Sequence, residues 1–286
     1  MPAHPEILPM RPFIRLALAS VALLATASPA HAQRHSTEND TDWLENCRSG
    51  NWYGDDDRGR ACEVRQVPLR LEGRSLQIDG RQNGSIRVRA WDGDSVRVIA
   101  RLQANARSDD DARRVLADVR LVADGRGVRA EGPSGSRYRE GWSASYVVWV
   151  PRRFDLSLEA SNGALGVDGV NGRLDLRTVN GSVALTDVGG DVRARTQNGS
   201  LNVSLSGRSW TGGGLDAETQ NGSVRLAIPQ NYAAQLETGT VNGSIQTDFP
   251  VTVQGRISRR LTLPLNGGGP AIRAITTNGT VRISRR

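Results

Sequence analysis

Residues 161–205 read SNGALGVDG, VNGRLDLRT, VNGSVALTD, VGGDVRART and QNGSLNVSL, which makes five blocks of nine residues. Asparagine therefore recurs at multiples of nine, and Gly189-Gly190 fills the one vacant step. Across the chain, eight Asn-Gly pairs are each followed by one residue and then by Ile, Val or Leu, and in six of them the residue between is Ser or Thr. The asparagines of these pairs are Asn83, Asn162, Asn171, Asn180, Asn198, Asn221, Asn242 and Asn278. A repeat of this regularity predicts an architecture made by stacking one structural unit many times.

Each position within a block has a distinct physical role. Asn-Gly tolerates positive φ angles and therefore predicts a tight turn. The Ser or Thr leaves the turn, and two aliphatic residues two positions apart, such as Val183 and Leu185, point to the same side of a strand. About five strand residues and a turn account for one block, so that two blocks make a rung of eighteen residues. A single rung cannot bury its own aliphatic side chains, whereas a stack of rungs buries a continuous core.

Two arrangements of these strands are compatible with the repeat. In a stack of rungs, equivalent Asn side chains can bond to one another as a ladder along the stack. In the alternative, simple hairpins form an antiparallel meander, which Asn-Gly turns also allow. The spacing becomes irregular after Asn198, through Gly212–Gly214 and Leu265–Pro270, which indicates inserted loops where binding specificity can lie.

The region before residue 155 has the same strand character, with one interruption. Alternating aliphatic residues separated by tight turns predict further strands from about Val64 onward. Ser108 precedes three aspartates, and Ala112, Val115 and Leu116 then recur at helical spacing. We therefore expect a mainly β, solenoid-like stacked sheet structure with one short helix near residues 109–118, whose aspartates serve as caps rather than as a site.

The N-terminal part of the chain predicts export. Residues 1–32 resemble a signal peptide, with a basic flank, a short apolar run and a small-x-small pattern that places cleavage after Ala32. We expect a periplasmic or extracellular protein without a transmembrane segment in the mature chain. Residues 33–65 would form a polar segment and a loop closed by a disulfide between Cys47 and Cys62, which packs on the main body through Trp43, Trp52 and Tyr53. Residues 66–286 would form the β-repeat domain.

Charge and composition narrow the functional classes. Every cationic side chain is Arg, and these alternate with Asp and Glu as on solvated strand faces. Export makes nucleic acid an implausible partner. The three histidines are His4, His31 and His35, so the folded part has no imidazole for a Ser-His triad or a His-based zinc site. We expect no catalytic residues, metal or cofactor. The aspartates near turns, at positions 168, 175, 187 and 191, cannot be paired from the sequence, and Asp55–Asp57 is better interpreted as a solvated turn than as a calcium loop.

From about Gln66 to Arg286 the chain resembles the bacterial family of proposed adhesins that is also called the toast-rack domain. The resemblance rests on the Asn-Gly-Ser-aliphatic repeats, on the helix, and on the strand Val147–Pro151 that leads into the repeats. The segment from Cys47 to Arg65 also resembles an appendage that precedes such domains. The resemblance implies a stacked β architecture in an envelope protein, with roles in adhesion or envelope-stress sensing, and it supplies no catalytic residues.

Three functions are compatible with these observations. The first is a non-enzymatic, adhesin-like module that binds an envelope glycan or a surface or membrane protein. The second is an envelope-stress sensor or scaffold that docks with membrane partners and offers a sheet edge for strand addition. The third, favoured least, is a polysaccharide hydrolase or lyase built on a β-solenoid. The ligand and the oligomeric state do not follow from the sequence.

Overall fold

A computed structural model describes residues 39–49, 58–133, 140–249 and 259–286. The predicted signal peptide, Trp52, Tyr53 and Asp55–Asp57 lie outside these residues. The helices are α1 (Asp40–Ser49) and α2 (Asp109–Ala117). The strands are β1 (Gly59–Val67), β2 (Ser75–Asp79), β3 (Ile86–Trp91), β4 (Arg97–Ala106), β5 (Arg120–Ala123), β6 (Gly127–Glu131), β7 (Gly141–Pro151), β8 (Asp155–Ala160), β9 (Leu165–Asp168), β10 (Asn171–Asn180), β11 (Val183–Thr186), β12 (Gly189–Asn198), β13 (Leu201–Ser204), β14 (Gly214–Asn221), β15 (Val224–Ile228), β16 (Ala234–Asn242), β17 (Ile245–Thr247), β18 (Arg260–Leu265), β19 (Ala271–Asn278) and β20 (Val281–Arg285).

The described strands form two ten-stranded sheets. Sheet A has the order β1-β4-β7-β3-β9-β11-β13-β15-β20-β17, and sheet B has the order β18-β16-β19-β14-β12-β10-β8-β2-β6-β5. From β8 to β17, and again from β19 to β20, a strand of sheet B is followed by a strand of sheet A, and such a pair is one rung. Strands of neighbouring rungs pair in parallel, for example β10 with β12 and β11 with β13. The stacked, mainly β fold is confirmed, and the antiparallel meander is wrong for the repeats.

The register shows the eighteen-residue rung directly. Leu174 of β10 lies beside Leu156 of β8 and Val192 of β12, each eighteen positions away. In sheet A, Val183 and Leu185 lie beside Leu201 and Val203 in the same way. Because the buried positions of both sheets face each other, the aliphatic pairs of successive rungs form one continuous core.

The two ends of each strand pair form two different edges of the stack. At the asparagine edge, where the chain passes from sheet B to sheet A, lie Asn162, Asn180 and Asn198. At the return edge, where it passes from sheet A back to sheet B, Asn171 lies beside Gly189. Positions nine residues apart in the repeat therefore lie at opposite edges of the stack, and Asn171 does not stack on the other asparagines.

Seven of the eight Asn-Gly pairs that precede an aliphatic residue do not turn by positive φ angles, so that part of the turn prediction is wrong for them. Of the eight pairs, only Gly279 has a positive φ, at 155°. Glycine is needed for a different reason, which is the close contact between rungs. A Cβ atom on Gly181 would lie 2.0 Å from the carbonyl oxygen of Gly163, and one on Gly199 would lie 2.0 Å from that of Gly181. Positive φ angles occur instead at the return edge, at Gly169 and Asp187 among others.

The last rung in the sequence is not the last rung in the stack. Strand β19 lies between β14 and β16, and β20 lies between β15 and β17. The chain thus builds an outer rung from β16 and β17, turns back through the antiparallel strand β18, and inserts its C-terminal rung into the gap. Sequence order alone gives no sign of this insertion, because every rung carries the same repeat.

A second helix, α1, corrects the prediction of a single helix and of a polar segment followed by a loop. Asn39 begins it, since its side chain accepts a hydrogen bond from the Asp42 N–H at 2.7 Å. A disulfide joins Cys47 of α1 to Cys62 of β1. The buried Arg101 side chain pairs with Asp40 at 2.9 Å and lies over the Trp43 ring, so α1 is fixed to β4 as well.

The N-terminal strands and α2 complete the core at the other end of the stack. Strands β1, β4 and β7 pair antiparallel in sheet A. Helix α2 begins at the predicted cap Ser108 and buries Ala112 and Leu116. The proposed boundary between residues 65 and 66 falls inside β1, and residues 39–286 form one compact unit. In the part of the chain that the structure describes, neither α1 nor α2 has the length and apolar composition that a membrane-spanning helix requires.

Candidate binding edge and cleft

Seven of the eight asparagines form one hydrogen-bonded column, the asparagine ladder, along the asparagine edge. Each Asn Nδ2 donates to the Oδ1 of the preceding member of the column, over distances from 2.7 to 3.2 Å. The members in spatial order are Asn83, Asn162, Asn180, Asn198, Asn221, Asn278 and Asn242. All seven side chains are exposed, and the six beyond Asn83 all donate in the direction of Asn83.

The ladder leaves hydrogen-bonding capacity facing solvent. A carboxamide has two N–H donors and an oxygen that accepts two bonds. An interior member such as Asn180 uses one donor toward Asn162 and one acceptor site toward Asn198. Each interior rung therefore retains one donor and one acceptor in a fixed orientation, repeated at the strand spacing of about 4.8 Å.

Buried threonines hold the ladder in place, and the sequence analysis missed them. Thr196 lies two positions before Asn198, and its hydroxyl donates to the carbonyl oxygen of Gly181 in the adjacent rung at 2.8 Å. Thr219 makes the same bond to Gly199 at 2.8 Å and is fully buried. The threonines of this column are Thr178, Thr196, Thr219, Thr276 and Thr240. The signal in the sequence is the longer motif Thr-x-Asn-Gly, which five of the eight pairs carry.

Polar side chains flank the ladder on both sides. The residue before each ladder asparagine forms a second column, in which Val179 and Val241 are the exposed apolar members, at 42% and 56% exposure. The column consists of Gln82, Ser161, Val179, Gln197, Gln220, Thr277 and Val241. The residue after each Asn-Gly pair is Ser or Thr in all rungs of the ladder except one, which has Ala164. The edge is therefore a flat array of amides and hydroxyls.

A cleft of about 510 Å³ opens at the Asn83 end of the ladder. Asn83 itself lines it, together with Trp142, Arg81, Glu131 and Glu140. The Trp142 indole N–H donates to the Pro133 carbonyl at 3.2 Å, which fixes the ring at the cleft wall. A volume of this size is typical of small-molecule sites, and an aromatic ring beside a few polar groups is typical of their lining.

Arg81 lines the cleft, and the buried Tyr146 lies close to Arg81 and Asp79. Arg81 has a positive φ of 53° and pairs with Asp79 at 3.5 Å. Its Nε also donates to the Ala130 carbonyl at 3.4 Å. Tyr146 is buried, and its hydroxyl lies near Ala130 without a hydrogen bond to any described residue. Burial raises the pKa of this hydroxyl, and the negative charge of Asp79 raises the pKa further.

Two of the aspartates considered for catalysis, Asp175 and Asp191, line one surface pocket with Asp216 and Glu237, although each makes its own contacts. Asp175 pairs with Arg177 at 2.8 Å, and the Asp191 carboxylate accepts a hydrogen bond from the Gly213 N–H at 2.9 Å. Asp187 accepts a hydrogen bond from the Ser206 hydroxyl, and Asp168 lies beside Arg89 in the register of sheet A. Within the described ranges, no group of three or more acidic, His or Cys side chains could hold a metal ion.

The described strands define a class of protein, an open-ended stack of parallel β rungs. Residues 152–284 match the family model Toastrack DUF4097, so this region of the chain is similar to the toastrack family. No curated protein matches the chain.

Three solved structures are similar to the chain at low sequence identity. A proposed cell adhesion protein from Clostridium sporogenes ATCC 15579 is 8% identical, with a TM-score of 0.41 over 79% of this chain and 100% of that chain. A proposed adhesin from Bacteroides fragilis NCTC 9343 is 10% identical, with a TM-score of 0.37 over 79% and 97%. A proposed lipid-binding protein from Parabacteroides distasonis ATCC 8503 is 10% identical, with a TM-score of 0.37 over 78% and 96%. Similarities at these values carry no argument about what this chain binds.

Proposed function

We propose that this protein is an exported, adhesin-like binding module of the cell envelope that holds a glycan chain along the asparagine ladder. The observation that carries the proposal is the row of exposed carboxamides, each with one free donor and one free acceptor in every interior rung. A sugar hydroxyl is also both a donor and an acceptor. The ladder and the glycan are therefore complementary along their whole length.

Rigidity of the ladder favours binding. Each carboxamide is held by its neighbours, and the turn beneath it is held by the bonds from threonine to glycine. A surface that is ordered before binding loses little side-chain entropy when a ligand arrives. Many weak contacts along one polymer then add to a useful affinity.

The cleft supplies a place for the end of such a chain. Asn83 belongs both to the ladder and to the cleft lining, so a polymer lying on the ladder leads directly into the cleft. There, Trp142 offers an apolar surface for the C–H face of a sugar ring, and the charged groups of Arg81, Glu131 and Glu140 can bind its hydroxyls.

Export supports an envelope role. The disulfide between Cys47 and Cys62 belongs to a class of bonds that persist outside the reducing cytoplasm. Cleavage after Ala32 is part of the proposal, and N-terminal sequencing of the secreted protein would test it.

A glycan array probed with the mature protein tests the binding function. We expect an uncharged envelope or surface polysaccharide to bind, and the double variant Asn180→Ala/Asn198→Ala to lower its affinity by about tenfold or more, because each lost neutral hydrogen bond contributes about 1 kcal/mol. The matched control is Arg173→Ala/Arg193→Ala, which changes exposed residues on the outer face of the same two strands. Glycan binding that the ladder variant leaves unchanged would refute this site.

One observation favours the sensor or scaffold role as a second candidate. Strand β17 is the terminal strand of sheet A and pairs with β20 on one side, so its other edge is available for strand addition within the described structure. A pull-down from envelope extracts separates the two functions. Stoichiometric capture of a membrane protein, with no glycan bound on the array, would favour the sensor.

A further inference from the structure

The ladder repeats one chemically labile dipeptide seven times, but in unequal surroundings. An Asn-Gly pair can react with itself, because glycine has no side chain to hinder the attack of its backbone nitrogen on the preceding carboxamide carbon. In four interior rungs the glycine N–H is engaged: Gly181, for example, donates to the Asn198 carbonyl at 3.1 Å, and Gly199 donates to the Asn221 carbonyl at 3.0 Å. Gly222 and Gly279 donate to the next rung in the same way.

Asn242-Gly243 differs from these pairs because it lies on the outermost rung of the ladder. The Gly243 N–H makes no hydrogen bond to any described residue, since no further rung follows it. The Asn242 side chain is held on one side, where its Nδ2 donates to Asn278 at 2.8 Å. All four residues from Val241 to Ser244 are exposed.

The remaining pairs are protected in other ways. Gly84 is buried. The Gly163 N–H, like that of Gly243, donates to no described residue, but Gly163 is half-buried and the Asn162 side chain is held on both sides, since it donates to Asn83 and accepts from Asn180. Outside the ladder, the Asn266 side chain donates to the carbonyl of Tyr232 at 3.0 Å, and Asn171 is half-buried at the start of β10.

We propose that Asn242 is a site of spontaneous, structure-selected modification. The Gly243 nitrogen attacks Cγ of Asn242 and forms a C–N bond, while the bond from Cγ to Nδ2 breaks. Ammonia leaves with the proton that Gly243 gives up, and a five-membered succinimide forms. Water then adds to one of the two ring carbonyls and opens the ring to aspartate or isoaspartate. The only co-reactant is water, and no oxidation or reduction takes place.

The product changes the terminal rung selectively. A carboxylate at position 242 replaces the Nδ2 donor and places an acceptor against the Asn278 oxygen, so the last bond of the ladder is lost. The Arg259 guanidinium donates to the Val241 carbonyl and is close enough to attract the new charge. Isoaspartate lengthens the backbone just before β17, which has only three residues. The modification therefore releases β17 from β20 and leaves the inner rungs intact.

Peptide mapping of the full-length protein tests the proposal. The protein is kept folded at mildly alkaline pH, digested after arginine, and analysed by mass spectrometry that distinguishes amide from acid. The digestion places Asn180, Asn198, Asn221, Asn242 and Asn278 in five different peptides. We expect conversion at Asn242 to be at least about tenfold faster than at the interior asparagines, because the interior rungs must open before they can react.

Two comparisons make the outcome decisive. In the urea-unfolded chain the pairs should convert at similar rates, which attributes the selectivity to the fold. Asn242→Gln should abolish the fast conversion, because the longer side chain does not form the five-membered ring, whereas Asn198→Gln should leave it unchanged. Equal rates at Asn198 and Asn242 in the folded protein, or conversion of Asn242 only after unfolding, would overturn the proposal.

Discussion

The glycines of the asparagine edge set how closely the rungs can stack. At Gly199, an added Cβ would lie 2.0 Å from the carbonyl oxygen of Gly181, and the atoms nearest to it are all backbone atoms, which cannot rotate away. Gly199→Ala should therefore lower the free energy of unfolding by about 3 kcal/mol. Urea unfolding would measure the change. The control is Gly166→Ala, where the nearest atom is 3.9 Å away, and the prediction fails if both variants are equally stable.

The threonine column gives a second prediction. Thr219→Val keeps the shape of a fully buried side chain but removes the hydroxyl that donates to the Gly199 carbonyl at 2.8 Å. We expect a loss of about 1–2 kcal/mol of unfolding free energy, because a buried acceptor loses its partner. Thr262→Val, at an exposed position of β18, should change stability by less than about 0.5 kcal/mol. If Thr219→Val leaves the unfolding free energy unchanged, the threonine column does not support the ladder.

Individual residues were predictable where their role depends on the strand pattern. Val183 and Leu185 are buried as their spacing indicates, and the stacking of asparagines follows from their recurrence. The role of glycine was not predictable in the same way. Within one turn, Gly181 looks like a positive-φ residue, and only the adjacent rung shows that it avoids a clash with the Gly163 carbonyl. The local motif carries no information about how closely the adjacent rung approaches, because that rung lies eighteen residues away in the sequence.

Helix α1 depends on its disulfide, which gives a prediction about redox conditions. The bridge from Cys47 to Cys62 spans a separation of 15 residues. Loop entropy for such a bridge corresponds to about 3 kcal/mol of stability. Urea unfolding with and without a reductant should show a loss of this order. Without a reductant, the Cys47→Ser/Cys62→Ser variant should already have the lower unfolding free energy, and adding the reductant should not change it. A change in this variant would mean that the reductant acts on something other than the disulfide.

Two elements escaped the sequence analysis for physical reasons. Helix α1 is short and polar, so it has no apolar periodicity, and it forms because Asn39, Arg101 and the disulfide hold it against β1 and β4. The inserted rung of β19 and β20 was invisible because it pairs with β14 and β16 through the same side-chain pattern as every other rung. The repeat specifies how rungs pair but not which rung pairs with which.

The candidate cleft shows the limit of sequence analysis for the molecule as a whole. Its lining comes from residues 80–83, 130–133 and 140–144 and from Val115, which only the packing of β2, β6, β7 and α2 brings together. Trp142 is half-buried on its strand, and its indole also forms the cleft wall. The ladder, by contrast, could be predicted as a stack because one element repeats with a constant period.

Tyrosine ionisation should control how the whole fold responds to alkaline solution. The chain contains no Lys, and Arg keeps its charge, so tyrosines dominate titration between about pH 10 and about pH 12. Burial raises the pKa of Tyr232 from 10.0 to about 12, and it raises the pKa of Tyr146 as well. Both groups stay neutral in the folded protein while the unfolded chain ionises. Their stabilising contribution is thus complete below about pH 10 and is lost as the pH rises through the folded-state values.

For Tyr232 the loss should reach about 3 kcal/mol, because a pKa raised from 10.0 to about 12 corresponds to about that free-energy difference between the folded and unfolded states. Urea midpoints across this pH range would measure it, together with phenolate absorbance. Tyr146→Phe/Tyr232→Phe should flatten the pH dependence. The Tyr146→Phe change alone should leave stability at neutral pH equal or higher, since the hydroxyl makes no hydrogen bond to a described residue. If the unfolding free energy of the double variant still falls with pH as steeply as that of the natural protein, the ionisation of these two tyrosines is not linked to unfolding. The core around them would then open before the fold is lost.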